Sequence, residues 1–171
     1  AGSGKTRVLT RRIAHLVLEL AAHPEQIFAV TFTNKAAKEM KERVAQLFTT
    51  HRVPSWVSTF HSGALRILRQ HATALGYRAD FAIYDSADTT STLKRVYKRL
   101  KLDPKIIEPR AIAARIDRAK NEYQSPDDLR KDNSLPHSIV ETVAEVYLAY
   151  QEELLEANAM DFVDLLSNVV T

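Results

Sequence analysis

Gly4, Lys5 and Thr6 stand near the start of the chain as a small residue, a cation and a hydroxyl in succession, behind Ala1, Gly2 and Ser3. They supply the last three positions of the phosphate-binding pattern G-x-x-x-x-G-K-[ST], whose first glycine would precede Ala1. Small residues at Gly2, Ser3 and Gly4 let successive backbone N–H groups turn inward around a phosphate without interference from a Cβ. Lys5 brings charge to the outer phosphates. Thr6 offers a hydroxyl to Mg²⁺, and the positive end of the helix that follows faces the anion. A Gly/Ser surface turn or linker ending in Lys reads the same letter by letter. The context separates the two, because a helix follows at once and strands come after it. The chain therefore reads as a piece of a longer protein that begins inside the motif.

Two further stretches place hydroxyls, an amide and aromatic rings where strands give way to helices. In "TFTNKAAKEMKERV" (31–44) these are Thr31, Phe32, Thr33 and Asn34; in "VSTFHSGALRILR" (57–69) they are Thr59, Phe60 and His61. Ligands of α/β sheets bind at the carboxyl ends of strands. Donors for phosphate oxygens beside an aromatic face for a base suit single-stranded nucleic acid. The plainer alternative makes Phe32 a core residue and Asn34 the N-cap of the second helix, and a capping role does not exclude the other.

The elements that must hold these residues follow from periodicity. Leu9, Ile13, Leu16, Val17 and Leu20 fall on one face of a first helix. The apolar run Ile27 to Phe32 predicts a strand buried on both faces, hence a parallel sheet. Ala37, Met40, Val44, Leu47 and Phe48 mark a second helix, "VPSWVSTF" a second strand, and Phe60 to His71 a third helix with Leu65 and Leu68 inward. Strand and helix alternate, as in βαβ units. Past Gly76 only "FAIYD" reads as a strand, and helices dominate. Ser86 is the expected N-cap of one with the stripe Leu93, Val96, Tyr97 and Leu100, and Ser125 before Pro126 starts another. Ile139, Val143, Val146, Tyr147, Tyr150 and Leu154 line a long helix, and "NAMDFVDLLSNVV" is expected to begin a final one. The fold class is α/β: a parallel sheet plus an inserted helical subdomain.

Composition narrows the setting. With 171 residues, 45% of them hydrophobic, the chain can bury one sizeable core or one core plus a helical appendage. A net charge of +3 permits a polyanionic partner without requiring one, and the absence of Cys excludes disulfides and thiolate metal sites. No apolar run approaches bilayer length and nothing resembles a signal peptide, so a soluble, cytoplasmic protein without a membrane partner is expected. The six His show no ligand spacing. Asp85 ends an apolar strand as a Mg²⁺-binding carboxylate would, but Ser86 follows where a catalytic Glu should stand, so Asp85 reads as a turn or helix-start residue. Asp161 and Asp164, three apart, read as solvated or capping rather than as an acid/base pair.

Together, "AGSGKTRVLTRR", "TFTNKAAKEM" and "STFHSGALRILR" resemble motifs I, Ia and Ib of the UvrD/Rep family of superfamily 1 DNA helicases, in order and spacing. "NAMDFVDLL" is similar to the segment shortly before that family's Walker B motif, so the resemblance covers essentially the whole chain. It implies a partial RecA-like P-loop NTPase domain, part of an ATP-dependent 3′ to 5′ translocase with two motor domains. Residues 1–80 would be the first part of motor domain 1A, 81–157 its helical 1B insertion, and 158–171 the return to 1A. ATP and Mg²⁺ would be held at Ala1, Gly2, Ser3, Gly4, Lys5, Thr6 and Arg7, with Lys5 and Thr6 the residues nearest the chemistry and Thr6 on the metal. Phe32, Thr33, Asn34, Thr59 and His61 would meet single-stranded DNA. Lys94, Arg95, Lys98, Arg99 and Lys101 form a basic run; Lys94, Lys98 and Lys101 would approach the duplex at a single-strand/duplex junction, although such a run is usually only a solvated face.

The family's adenine-reading Gln motif, Walker B pair, arginine fingers and second motor domain have no counterpart here, so the chain alone is expected to hydrolyse no ATP. The remaining domain 1A and domains 2A and 2B would be its partners in the same polypeptide. A P-loop kinase of a small metabolite and a nucleotide-independent single-strand-binding module remain as alternatives. The first gives no reason for two aromatic strand ends.

Overall fold

The computed structural model describes residues 4–48, 53–105, 107–131 and 136–170. It divides into two compact units, Ala1–Arg66 and Ile67–Thr171, with the division inside a helix. In the first unit the order is α1 (Lys5–Leu18), β1 (Phe28–Thr31), α2 (Asn34–Leu47), β2 (Trp56–Thr59) and the start of α3 (Phe60–His71). β1 and β2 pair in parallel, from Phe28 opposite Trp56 to Thr31 opposite Thr59. This register puts both carboxyl ends level.

Ile13 and Val17 of α1, Met40 and Val44 of α2, Phe48, and Val57 of β2 form one core, with Ala29 of β1 packed against it. The 3.6-residue spacing of the helical apolar positions turns them to a common side, and alternation along the strands sends Ala29 and Val57 the same way. Phe28 lies on the opposite face, where α3 approaches so closely that a Cβ on Gly63 would stand 2.9 Å from the Phe28 ring. Trp56 meets Phe28 edge-on at 5.8 Å, and the Arg66 guanidinium lies 3.8 Å above the Trp56 ring.

Two expectations change here. β1 is half-buried rather than buried on both faces, and Phe28 is 53% exposed, because among the described residues β1 has one hydrogen-bonded neighbour, β2. Leu9 and Leu20, read as facing inward on the first helix, and Leu47 on the second are exposed, Leu20 because α1 ends at Leu18, while Thr10 takes a buried position on α1.

The second unit holds the rest of α3, then β3 (Ala82–Tyr84), α4 (Ser86–Arg99), α5 (Pro109–Asn121), α6 (Pro126–Leu129), α7 (His137–Glu156), β4 (Ala159–Asp161) and α8 (Asp164–Val170). Its core is helical: Leu93, Val96 and Tyr97 of α4, Ile112 and Ile116 of α5, and Val143, Val146, Tyr147, Tyr150 and Leu154 of α7. The stripes read from the sequence on α4 and α7 are buried, except that Ile139 stays partly exposed and Leu100 is only partly buried.

β3 and β4 pair in parallel, Ala82 with Ala159 and Tyr84 with Asp161. The helix expected to begin at "NAMDF" is thus a strand first, and α8 starts only at Asp164. Asn158 explains the break: its φ of +48° ends α7 in the left-handed region, where Asn is tolerated. Its side chain then bridges, accepting from the Arg78 N–H and donating to Asp80.

Two caps sit one residue from their expected places. Asp85, not Ser86, caps α4, accepting from the N–H groups of Ala87 and Asp88 while Asp88 reaches back to the Asp85 N–H. That reciprocal box is the helix-start role read for Asp85. Those hydrogen bonds, from Asp88 first and then Ala87, hold its carboxyl below the usual aspartate value. Ser125 caps α6 as expected. No helix among the described residues is long and apolar enough to cross a membrane.

Candidate nucleotide and nucleic-acid sites

The start of α1 is built by Gly4, whose φ of +66° is a left-handed turn that a side chain would strain. No side chain caps the helix there, and nothing lies within 4 Å of where a Gly4 Cβ would be. Among the described residues no side chain accepts from the N–H groups of the first turn, and Lys5 and Arg7 are exposed and Thr6 half-buried beside them. Ala1, Gly2 and Ser3 lie outside the described residues. Open donors, a cation and a hydroxyl fit the phosphates of a nucleotide and an accompanying Mg²⁺.

At the level carboxyl ends of β1 and β2 the rings of Phe32 and Phe60 meet, 5.2 Å apart and tilted by 51°. Phe32 is 91% exposed and Phe60 40% exposed, which removes the core reading of Phe32. Burial is what normally stabilises a Phe, so two rings left in water at one spot form a surface fit for stacking.

Thr33, rather than Asn34, is the N-cap of α2: its hydroxyl accepts from the Ala36 N–H at 3.1 Å, and its own carbonyl accepts from the Thr31 hydroxyl. Asn34 is the exposed first residue of α2. Thr59 is buried; its hydroxyl accepts from the Ser62 N–H and donates to Ser62 Oγ, so it fixes the start of α3. His61 is exposed at the second position of α3. The strand ends thus bring Phe32, Phe60, Asn34 and His61 to solvent, with Thr33 and Thr59 holding the two helix starts behind them.

The basic run divides in two. Arg95 bonds Glu153, and Arg99 bonds both Glu152 and Glu153 as well as the Ala149 carbonyl, so these two arginines tie α4 to α7. Lys94 and Lys98 remain exposed on α4. Lys101 is exposed but lies past the helix end, in a left-handed turn at φ +55°.

The family model of the UvrD/REP helicase N-terminal domain matches residues 1–171. The chain belongs to this family. It is 48% identical over 167 residues to the ATP-dependent DNA helicase PcrA of Leuconostoc citreum, covering 97% of this chain and 22% of that protein. To the ATP-dependent DNA helicase PcrA of Bacillus subtilis (strain 168) it is 45% identical over 170 residues, 99% of this chain and 23% of that one. The PcrA of Staphylococcus aureus (strain Mu50) matches to the same extent. The chain spans less than a quarter of the length of these relatives.

One charged cluster of this UvrD/REP-family chain escaped the sequence. Lys120 of α5 is 2% exposed, and its Nζ stands 2.5 Å from Asp161 Oδ2 and 2.8 Å from Asp164 Oδ1. Tyr150 donates to Asp161, and its ring lies 4.9 Å from the Lys120 Nζ. The two aspartates, read as solvated or capping, are buried and do cap each other, each accepting from the other's N–H.

Burial pushes the Asp161 carboxyl up, but the Lys120 charge and hydrogen bond, with the Asp164 N–H and Tyr150 hydroxyl, outweigh it and hold Asp161 below its ordinary value. For Asp164, burial and the neighbouring Asp161 charge win over Lys120 and raise it. Burial, then the charges of Asp164 and Asp161, lift Tyr77 and Tyr147 to about 12. The motif "RAKNE" carries no local mark of this role, since its partners lie some forty residues on.

Proposed function

We propose that the chain is the nucleotide-binding and strand-contacting part of an ATP-dependent 3′ to 5′ DNA helicase, which couples ATP hydrolysis to movement on single-stranded DNA and unwinding of duplex. The observation that carries this reading is the exposed Phe32–Phe60 pair at the level carboxyl ends of two parallel strands. Family membership and the ATP-dependent DNA helicase PcrA relatives support it. Bases of a single strand would stack on the rings, with Asn34, His61 and Thr33 toward the backbone. Thr59 would act from behind, by fixing α3.

ATP would sit at the start of α1, its phosphates against the loop from Ala1 to Gly4, Lys5 and Arg7, with Thr6 supplying a hydroxyl to Mg²⁺. Mg²⁺ held with the nucleotide at Thr6 would supply charge neutralisation to the phosphates. Lys5 orients and neutralises the outer phosphates. We divide the chain into 1–80, 81–157 and 158–171 with a helical insertion in the middle, a reading supported by the run of helices α4 to α7 between β3 and β4. Lys94, Lys98 and Lys101 would contact duplex phosphates at a junction. The rest of the same polypeptide would supply the missing motor parts, in the cytoplasm.

The test is equilibrium binding of a short single-stranded oligonucleotide. Phe32→Ala should weaken it by roughly 1 to 3 kcal/mol, the worth of one base–aromatic stack, with little change in salt dependence. Unchanged affinity would remove the strand-end reading. A small-metabolite kinase would instead show nucleotide turnover that follows a small acceptor and ignores DNA.

A further inference from the structure

A second aromatic surface lies in the Ile67–Thr171 unit. α5 ends in a turn that hydrogen-bonds Gln124 N–H to the Ala119 carbonyl and puts Tyr123 at φ +55°. Helices ending this way favour Gly at the left-handed position, and a bulky residue there is strained. Tyr123 occupies it and is nevertheless 57% exposed, so the ring is not held by burial. It borders a cleft of about 260 Å³ whose lining includes Pro126, Tyr147, Gln151 and Ser167. The Gln151 Oε1 is buried with no hydrogen-bond partner among the described residues. A buried acceptor left unpaired costs its full desolvation, and such a group marks a place where a donor belongs.

We propose that this cleft receives one unstacked base of a nucleic-acid strand, its ring on Tyr123 and a Watson–Crick-edge N–H donating to Gln151 Oε1. Each of the four bases carries such a donor, and each has a face that stacks on tyrosine. The size agrees. Sites that enclose whole drug-sized ligands run to about 300–1,000 Å³, so this one holds a base while its sugar and phosphate stay outside. Lys120 and Asp164 also border the cleft but are bound to each other, so they leave Gln151 as the unpaired polar group. The inference rests on the reading that the chain binds single strands, and it adds a binding point separate from Phe32 and Phe60.

The experiment is photocrosslinking of the 171-residue chain to a single-stranded oligonucleotide carrying 5-iodouracil, with adducts mapped by peptide mass spectrometry. Adducts at Tyr123 are expected, surviving in Phe32→Ala and falling severalfold in Gln151→Leu. Tyr123→Gly relieves the left-handed strain, so it should melt no lower than the parent while binding the strand about tenfold more weakly. Adducts at Phe32 or Phe60 without Tyr123 would overturn the cleft and leave the strand-end reading standing. Adducts at Tyr123 alone would do the reverse. Tyr123 adducts indifferent to Gln151→Leu would make Tyr123 a surface ring only, and no adducts at all would overturn both.

Discussion

Lys120 shows how much a single buried charge depends on its partners. Taking one ammonium and two carboxylates out of water is favourable only as a set, and the geometry here adds the Tyr150 hydroxyl and the reciprocal backbone bonds of Asp161 and Asp164. Lys120→Met would leave two like charges buried without compensation. We expect a loss of about 3–5 kcal/mol in denaturant unfolding, largely recovered when Asp161→Asn and Asp164→Asn are added. A loss below about 1 kcal/mol would mean that water reaches the cluster.

The pH dependence follows from the signs. Asp161, held low in the fold, adds stability above the unfolded value and loses it as pH falls through its folded value. Asp164, raised, keeps its proton to higher pH in the fold, so it favours the folded state at the acid end and costs stability once ionised. Asp164→Asn removes a contribution that favours the acid end, so it should shift the thermal midpoint at pH 7 upward relative to that at pH 3, compared with the parent. An unchanged difference would contradict the raised value.

At the scale of elements, periodicity made the helices and the first two strands legible because it is local: spacing alone places Ile13, Val17, Met40 and Val44 inward. It failed where one backbone conformation or one distant partner decides. Nothing in the letters says that Asn158 turns left-handed and lets Ala159–Asp161 pair with β3, or that Lys120 reaches Asp161. The caps slipped by one residue for a related reason. Thr33 and Asn34 can both cap, and the backbone at Thr33 is extended (φ −126°, ψ 148°), so the helix begins after it.

α4 carries the element-scale tests. Asp85→Ala removes its cap and should lower the melting temperature at neutral pH, a deficit that shrinks in acid as the parent's carboxylate is protonated. A deficit independent of pH would show that the charge does not matter. Neutralising Lys94, Lys98 and Lys101 should flatten the salt dependence of binding to junction DNA by roughly 0.9 for each phosphate no longer neutralised. With Arg95 and Arg99 already bound to Glu152 and Glu153, an unchanged slope would leave the ridge a solvated face.

At the scale of the whole molecule, nucleotide at the start of α1 and single-stranded DNA at the ends of β1 and β2 would serve one ATP-driven activity. The proposed phosphate loop and strand-end contacts are drawn from short stretches whose residue types match what phosphate and a single strand would require. The Phe32–Phe60 pairing needed the fold, since only the parallel register of β1 and β2 puts the two rings level. The most direct test is phosphate release by the complete polypeptide with and without single-stranded DNA, for the parent and for Lys5→Ala. The parent should hydrolyse ATP faster when the strand is added, and Lys5→Ala should show no turnover while its nucleotide-free affinity for the strand stays within about twofold, because in this proposal Lys5 would serve phosphates and touch no base. DNA-stimulated turnover that persists in Lys5→Ala, or an equal loss of strand binding in a folded variant, would contradict the account.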